Sequence, residues 1–224
     1  MSAIELYAVR KAFNEGRPNE FLAVDGVDLE IEPGRITVLT GPSGSGKTTL
    51  LTLIGCLARP TEGRVHLGGE SVSGLPERFL TELRRRTFGF VFQQFNLIRG
   101  LSVLENVMLP AYPLGPHYST LHGRAMELLT HLRLGHRAEA RVEWLSGGEA
   151  QRAAIARALI NDPSVVIADE PTANLDSHLS AAFLDIVAEL RSQGRTVLLT
   201  SHDPLITGAG VVDRVVAMRD GRVV

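Results

Sequence analysis

The chain has 224 residues, 44% hydrophobic and 21% charged, with a formal net charge of −2. That is the composition of a globular protein with ample apolar material for a core, and its slight acidity gives no general electrostatic reason to expect nucleic acid as a partner. The only cysteine, Cys56, lies in the apolar run LLTLIGCLA and reads as a small buried residue, which excludes a disulfide and a thiolate metal centre.

The N-terminal MSAIELYAVRK has no long apolar segment behind a positive start, so no signal peptide is expected. No run approaches about eighteen uninterrupted apolar residues, so no spanning helix is expected, and any membrane role must come through a partner. The first third reads as strands, IELYAVRKAF, LAVDGVDLEI and RITVLT, separated by the turn-like NEGRPNE and EPG. RITVLT runs into GPSGSGKT and then the helix KTTLLTLIGCLA, expected to stop at Arg59 and Pro60. GRVHLGGESV reads as a hairpin, RFLTELRRR as a helix whose Arg84 to Arg86 form a solvated end, and FGFVFQQ as a buried strand. From about Asn96 to Trp144 strand character disappears and LHGRAMELLTHLRL supplies an amphipathic helix. LSGGEAQRAAIARALIND then gives a helix, VVIAD a strand, SHLSAAFLDIVAELRSQG a helix, TVLLTSH a strand and MRDGRVV a terminal hairpin. Apolar strands separated by helices imply an α/β fold with a parallel sheet covered on both faces.

GPSGSGKT, Gly41 to Thr48, fits G-x-x-x-x-G-K-[ST] between a β-branched strand and a helix. Its glycines allow backbone N–H groups to converge on phosphate oxygens at the positive end of a helix. Lys47 would reach the β- and γ-phosphates and the Thr48 hydroxyl would ligate Mg²⁺. VVIADE ends a buried strand in two carboxylates where α/β folds place ligands. Asp169 would hold Mg²⁺ and Glu170 would polarise a nucleophilic water. His202, near the tip of TVLLTSHD, is a structural imidazole or a donor to the γ-phosphate or the water. Gln93, ending FGFVFQ, could touch Mg²⁺ or water. In LSGGEAQR, Ser146 can cap a helix while Gly147 and Gly148 leave the first N–H groups open to another molecule.

Together these residues resemble the ATP-binding subunits of ABC transporters, across essentially the whole chain: a Walker A loop, a Q-loop glutamine at Gln93, the signature LSGGEAQR, the Walker B run VVIADEP, a D-loop ANLD ending at Asp176, and an H-loop at His202. The resemblance implies a P-loop NTPase core, RecA-like, with an N-terminal antiparallel β subdomain and an inserted α-helical subdomain. Residues 1–94 and 153–224 would form the core with its β subdomain, and residues 95–152 the helical part. It also implies ATP held by Gly41, Pro42, Ser43, Gly44, Ser45, Gly46, Lys47, Thr48 and Thr49, and Mg²⁺ near Thr48, Gln93 and Asp169. Phe13 aligns with the aromatic that stacks on adenine, where many members have tyrosine. In that family two subunits pack head to tail, so Ser146, Gly147 and Gly148 would meet ATP on the second copy, with Asp176 nearby.

Within the family, GPSGSGKTTLL, FGFVFQQFNLI and LENVMLP resemble the subgroup of macrolide exporters and lipoprotein-releasing complexes. That implies a peripheral ATPase on the cytoplasmic face of the cell membrane, driving a separately encoded transmembrane subunit docked against Phe95 to Leu114, with no nucleic acid partner. A regulatory ATPase acting on a membrane-linked cell-wall process shares almost all of these motifs. Glu149 stands where many relatives have glutamine and is expected to meet a sugar hydroxyl or a neighbouring side chain. Trp144 departs from the small or polar residue usual before the signature, and either packs the subdomain or faces a partner.

Overall fold

A computed structural model of the chain describes residues 3–173 and 177–224. Strands β1 (Ile4–Phe13), β2 (Phe21–Ile31), β4 (Glu62–Leu67) and β5 (Glu70–Ser71) form an antiparallel sheet in the order β2-β1-β4-β5. A second sheet, ordered β10-β9-β3-β8-β7-β6, is built from β3 (Ile36–Thr40), β6 (Phe88–Val91), β7 (Val165–Ala168), β8 (Thr196–Thr200), β9 (Arg214–Arg219) and β10 (Arg222–Val223). Its first five members run parallel and β10 returns antiparallel to β9. The two sheets meet where Asp25 N–H donates to Gly221 O at 2.9 Å.

The central strands are buried on both sides because alternate residues serve two cores. Val38, Val166, Val197 and Leu199 join α3 (Val103–Met108), α4 (Tyr118–His131), α5 (Gly147–Leu159) and α6 (Ser177–Ser192) in one. Leu39, Val165, Ile167 and Leu198 join the antiparallel sheet, α1 (Lys47–Ile54) and Leu80 of α2 (Glu77–Thr87) in the other. The amphipathic helix read from LHGRAMELLTHLRL buries Leu121, Ala125 and Leu129 at spacings of four residues. The remaining helix, α7 (Pro204–Thr207), follows β8.

Two local expectations are corrected. Helix α1 ends at Ile54 rather than at Arg59, because Cys56 takes φ 58° and the N–H groups of Leu57 and Ala58 turn back to Thr52 O. Gly55 lets that turn press on the sheet, since a Cβ there would lie 2.5 Å from the Phe90 ring. Nor is Arg84 simply solvated: its guanidinium donates to Cys56 O at 2.7 Å and to Glu77, and so fastens α2 to the turn after α1. Arg85 and Arg86 pair with Glu82 at the surface.

Candidate functional site

The loop leaving β3 turns into α1 through Gly41, Gly44 and Gly46, all at positive φ. Two are fixed by contact as well as by backbone: a Cβ on Gly41 would lie 2.1 Å from Met218 O, and one on Gly46 2.3 Å from Ala23 O. Helix α1 begins with no side-chain cap, so its first N–H groups keep their donor capacity for an anion. Lys47, almost fully buried, donates from Nζ to Gly41 O at 2.8 Å and Pro42 O at 3.1 Å. An ammonium has three donors, so one remains for a phosphate oxygen. The Ser45 hydroxyl in the same loop is buried without a hydrogen-bond partner.

This loop floors a cleft of about 560 Å³. Gly41 through Thr49 line it, together with Phe21, Leu22, Ala23, Gln93, Glu170 and His202. Beside it the carboxylates are placed by the strand ends. Asp169 N–H continues the sheet by donating to Val91 O at 2.9 Å. Its carboxylate accepts from the Thr48 hydroxyl at 2.9 and 3.1 Å and from Thr200 Oγ1 at 2.7 Å. Thr200 Oγ1 in turn accepts from Glu170 N–H at 2.7 Å. Glu170 has φ 43°, an unusual backbone for glutamate, and its carboxylate oxygens lie 3.1 and 3.2 Å from His202 Nδ1. A carboxylate only accepts, so Nδ1–H is the donor. The residues present suit Mg²⁺: Thr48 Oγ1 and the Asp169 carboxylate are hard oxygen donors converging beside the phosphate loop, and Gln93 lines the same cleft.

The signature segment stands elsewhere. Ser146, Gly147 and Gly148 do not line this cleft. Ser146 caps α5: its Oγ accepts from Glu149 N–H at 3.3 Å while Glu149 accepts from Ser146 N–H at 2.8 Å. Glu149 also takes Arg137 Nε at 3.0 Å, and these bonds, the Ser146 N–H first and Arg137 next, lower its carboxyl to about 2. Of the two contacts expected for Glu149, the neighbouring side chain is the one formed within the chain. Gly148 is buried under α6, where a Cβ would come 2.7 Å from Leu179 Cδ2, a methyl at the end of a flexible side chain. Buried Gln151 donates to Pro171 O at 2.9 Å, tying the signature helix to the turn after Glu170.

Phe13, the candidate for stacking on adenine, is exposed. It stacks on Phe21 at 5.2 Å between centroids and is not part of the cleft lining, whereas Phe21 is. Sequence reasoning missed both Phe21 and Thr200. The aromatic opening LAV's strand and the hydroxyl ending TVLLT were the available signals. Trp144 is exposed and so does not pack the helical part. Asp176 lies outside the described residues.

Residues 24–173 match the family model described as ABC transporter. The chain is 45% identical over 221 residues, 99% of its length, to the macrolide export ATP-binding/permease protein MacB of Hyphomonas neptunium. It is 44% identical over 221 residues to the pyoverdine export ATP-binding/permease protein PvdT of Pseudomonas savastanoi pv. phaseolicola. It covers 34% and 33% of these proteins, so it spans about a third of the length of the curated relatives it matches. Among solved structures, the dimeric structure of MJ0796, a bacterial ABC transporter cassette, superposes with a TM-score of 0.90 at 40% identity, covering 98% of this chain and 96% of that one. A dimeric post-hydrolysis state of the same cassette bound to ADP and Pi gives 0.90 at 39% identity over the same shares.

Proposed function

This chain belongs to the ABC transporter family, and from that premise we propose that it binds and hydrolyses ATP to drive a transmembrane partner. The observation that carries the reading is the continuous bonded series Thr48–Asp169–Thr200–Glu170–His202, of which Thr48, Glu170 and His202 line one cleft. It joins a phosphate loop to a candidate base. The loop N–H groups and Lys47 hold the triphosphate, and the third Lys47 donor meets charge developing on the γ-phosphate. Glu170 orients and deprotonates the attacking water, and His202 holds that carboxylate in place. The water oxygen bonds to the γ-phosphorus as the bond to the β-bridging oxygen breaks, giving ADP and phosphate. Mg²⁺, held by Thr48 and Asp169 with Gln93 beside them, supplies neutralising charge to the phosphate oxygens when bound.

Ser146 and Gly148 lie off their own chain's cleft, which supports a head-to-tail pair in which each signature helix meets ATP on the other copy; the MJ0796 cassette is solved as a dimer. For the transmembrane partner, the supporting feature is an apolar groove of about 420 Å³ between α2, β6 and the loop after α3, with Leu57, Phe90, Phe92, Pro110 and Pro113 on its walls. This overlaps the stretch Phe95 to Leu114 read as a docking surface. No helix among the described residues is long and apolar enough to cross a membrane. The chain then works peripherally at the cytoplasmic face of the membrane, moving a permease that exports or extracts a substrate. The test is ATPase activity of the purified chain with and without its co-purifying membrane protein. No ATP turnover in either preparation would overturn the enzymatic reading, and turnover with no membrane protein retained would overturn the transport reading.

A further inference from the structure

Trp144 is the single tryptophan of the chain, and it stands two residues before the signature serine. It ends the 3-10 turn Val142–Trp144, which is pinned on every side. Val142 is buried and its N–H donates to Leu101 O, the Glu143 carboxylate accepts Gly100 N–H at 2.7 Å, and Trp144 N–H donates to Arg141 O at 3.1 Å. The turn is therefore rigid, yet the indole at its end is 67% exposed. Among the described residues no ring or cation stacks on it. An exposed indole on an ordered turn offers a π face and an N–H donor to whatever lies opposite it.

Its position names the partner. Trp144 stands two residues before Ser146, so two residues of chain and the length of an indole give it a reach on the order of 10 Å from the capping hydroxyl. Resting on the head-to-tail reading, Ser146 meets the phosphate end of ATP held by the second copy. Phe21, 55% exposed, lines that cleft and offers a ring on which a base would stack. We propose that the Trp144 indole lies against the base and ribose of ATP bound to the second copy, closing the nucleotide from the side opposite Phe21. Its π face suits a base and its N–H a ribose oxygen, and a stacked contact tolerates any purine. Trp144 is thus a nucleotide contact supplied in trans, and it makes dimerisation depend on the nucleoside as well as the γ-phosphate.

The chain carrying Glu170→Gln is titrated with MgATP and with MgADP while tryptophan emission and molar mass by light scattering are recorded together. Expected is an emission change that follows the mass doubling with ATP and is missing with ADP. In the same background, Trp144→Ala should weaken the ATP-driven dimer about tenfold while leaving ATP binding by the monomer unchanged, and Trp144→Phe should restore most of the loss. A dimer that forms with unchanged emission, and equally well with Trp144→Ala, overturns this inference alone. Absence of any ATP-driven dimer overturns the head-to-tail reading, and this inference with it.

Discussion

Glu170 and Asp169, adjacent in sequence, are held by one hydroxyl: Thr200 Oγ1 donates to the Asp169 carboxylate at 2.7 Å and accepts the Glu170 N–H at 2.7 Å. Thr200 is fully buried. Replacing it with valine keeps the shape but strips the Glu170 N–H of its partner and the Asp169 carboxylate of its shorter hydroxyl donor, leaving it the Thr48 hydroxyl, a loss of about 1–3 kcal/mol. Thr200→Val should therefore unfold at lower urea concentration and turn ATP over more slowly. Thr200→Ser, which keeps the hydroxyl, should recover most of the activity. Equal stability and equal rates for wild type and Thr200→Val would remove the bridge from the account.

Glu170→Gln retains the backbone bond to Thr200 but removes the base. ATP hydrolysis by this variant should fall by roughly 10²–10⁴-fold with ATP affinity kept, as read by phosphate release and by equilibrium binding. Wild-type turnover in the variant would reassign the base.

Gly46 has φ 96° and lies against the Ala23 carbonyl. A methyl group there meets backbone that cannot rotate away, at a cost of about 1–3 kcal/mol in strain and displacement. In Gly46→Ala the loop must open, so the melting temperature should drop and the rise that ATP gives to wild type should vanish. A normal ATP-induced rise would show that the loop is not the phosphate site.

The capping carboxylate at Glu149 carries a pH signature. Its folded-state pKa is lowered, to about 2, beneath the ordinary glutamate value. A depressed pKa gives stability that is fully present above the unfolded-state value near 4.5 and is lost as the pH falls toward about 2. Glu149→Gln should thus be less stable than wild type by about 1 kcal/mol at neutral pH, and the gap should close between pH 4.5 and 2. Denaturant melts across that window check it, and a gap that stays constant would mean the carboxylate charge contributes nothing.

What the sequence made legible was local. A glycine loop between strand and helix, a carboxylate pair ending an apolar strand, and a serine three residues before a glutamate each follow from the backbone chemistry of a few neighbouring positions. The course of the sheet was legible for the same reason, since doubly buried strands read as unbroken apolar runs. Missing were relationships between distant positions. Nothing near Gly148 announces Leu179, nothing near Phe13 selects Phe21 as the ring lining the cleft, and nothing near Gly55 announces the Phe90 ring that the turn after α1 presses against. Thr200 looked like one polar residue among several because its two partners lie about thirty positions away.

Helix α5 also acts as a rigid crossbar. One end presents Ser146, its middle is fastened by Gln151 to Pro171, and its far end seats the Ala158 carbonyl where a Cβ on Gly89 would come within 2.4 Å. Thirteen residues of helix span about 20 Å, and backbone in such contact leaves no slack for sliding. The signature serine, the turn after Glu170 and the strand that leads to Gln93 are thus all in contact with one short helix.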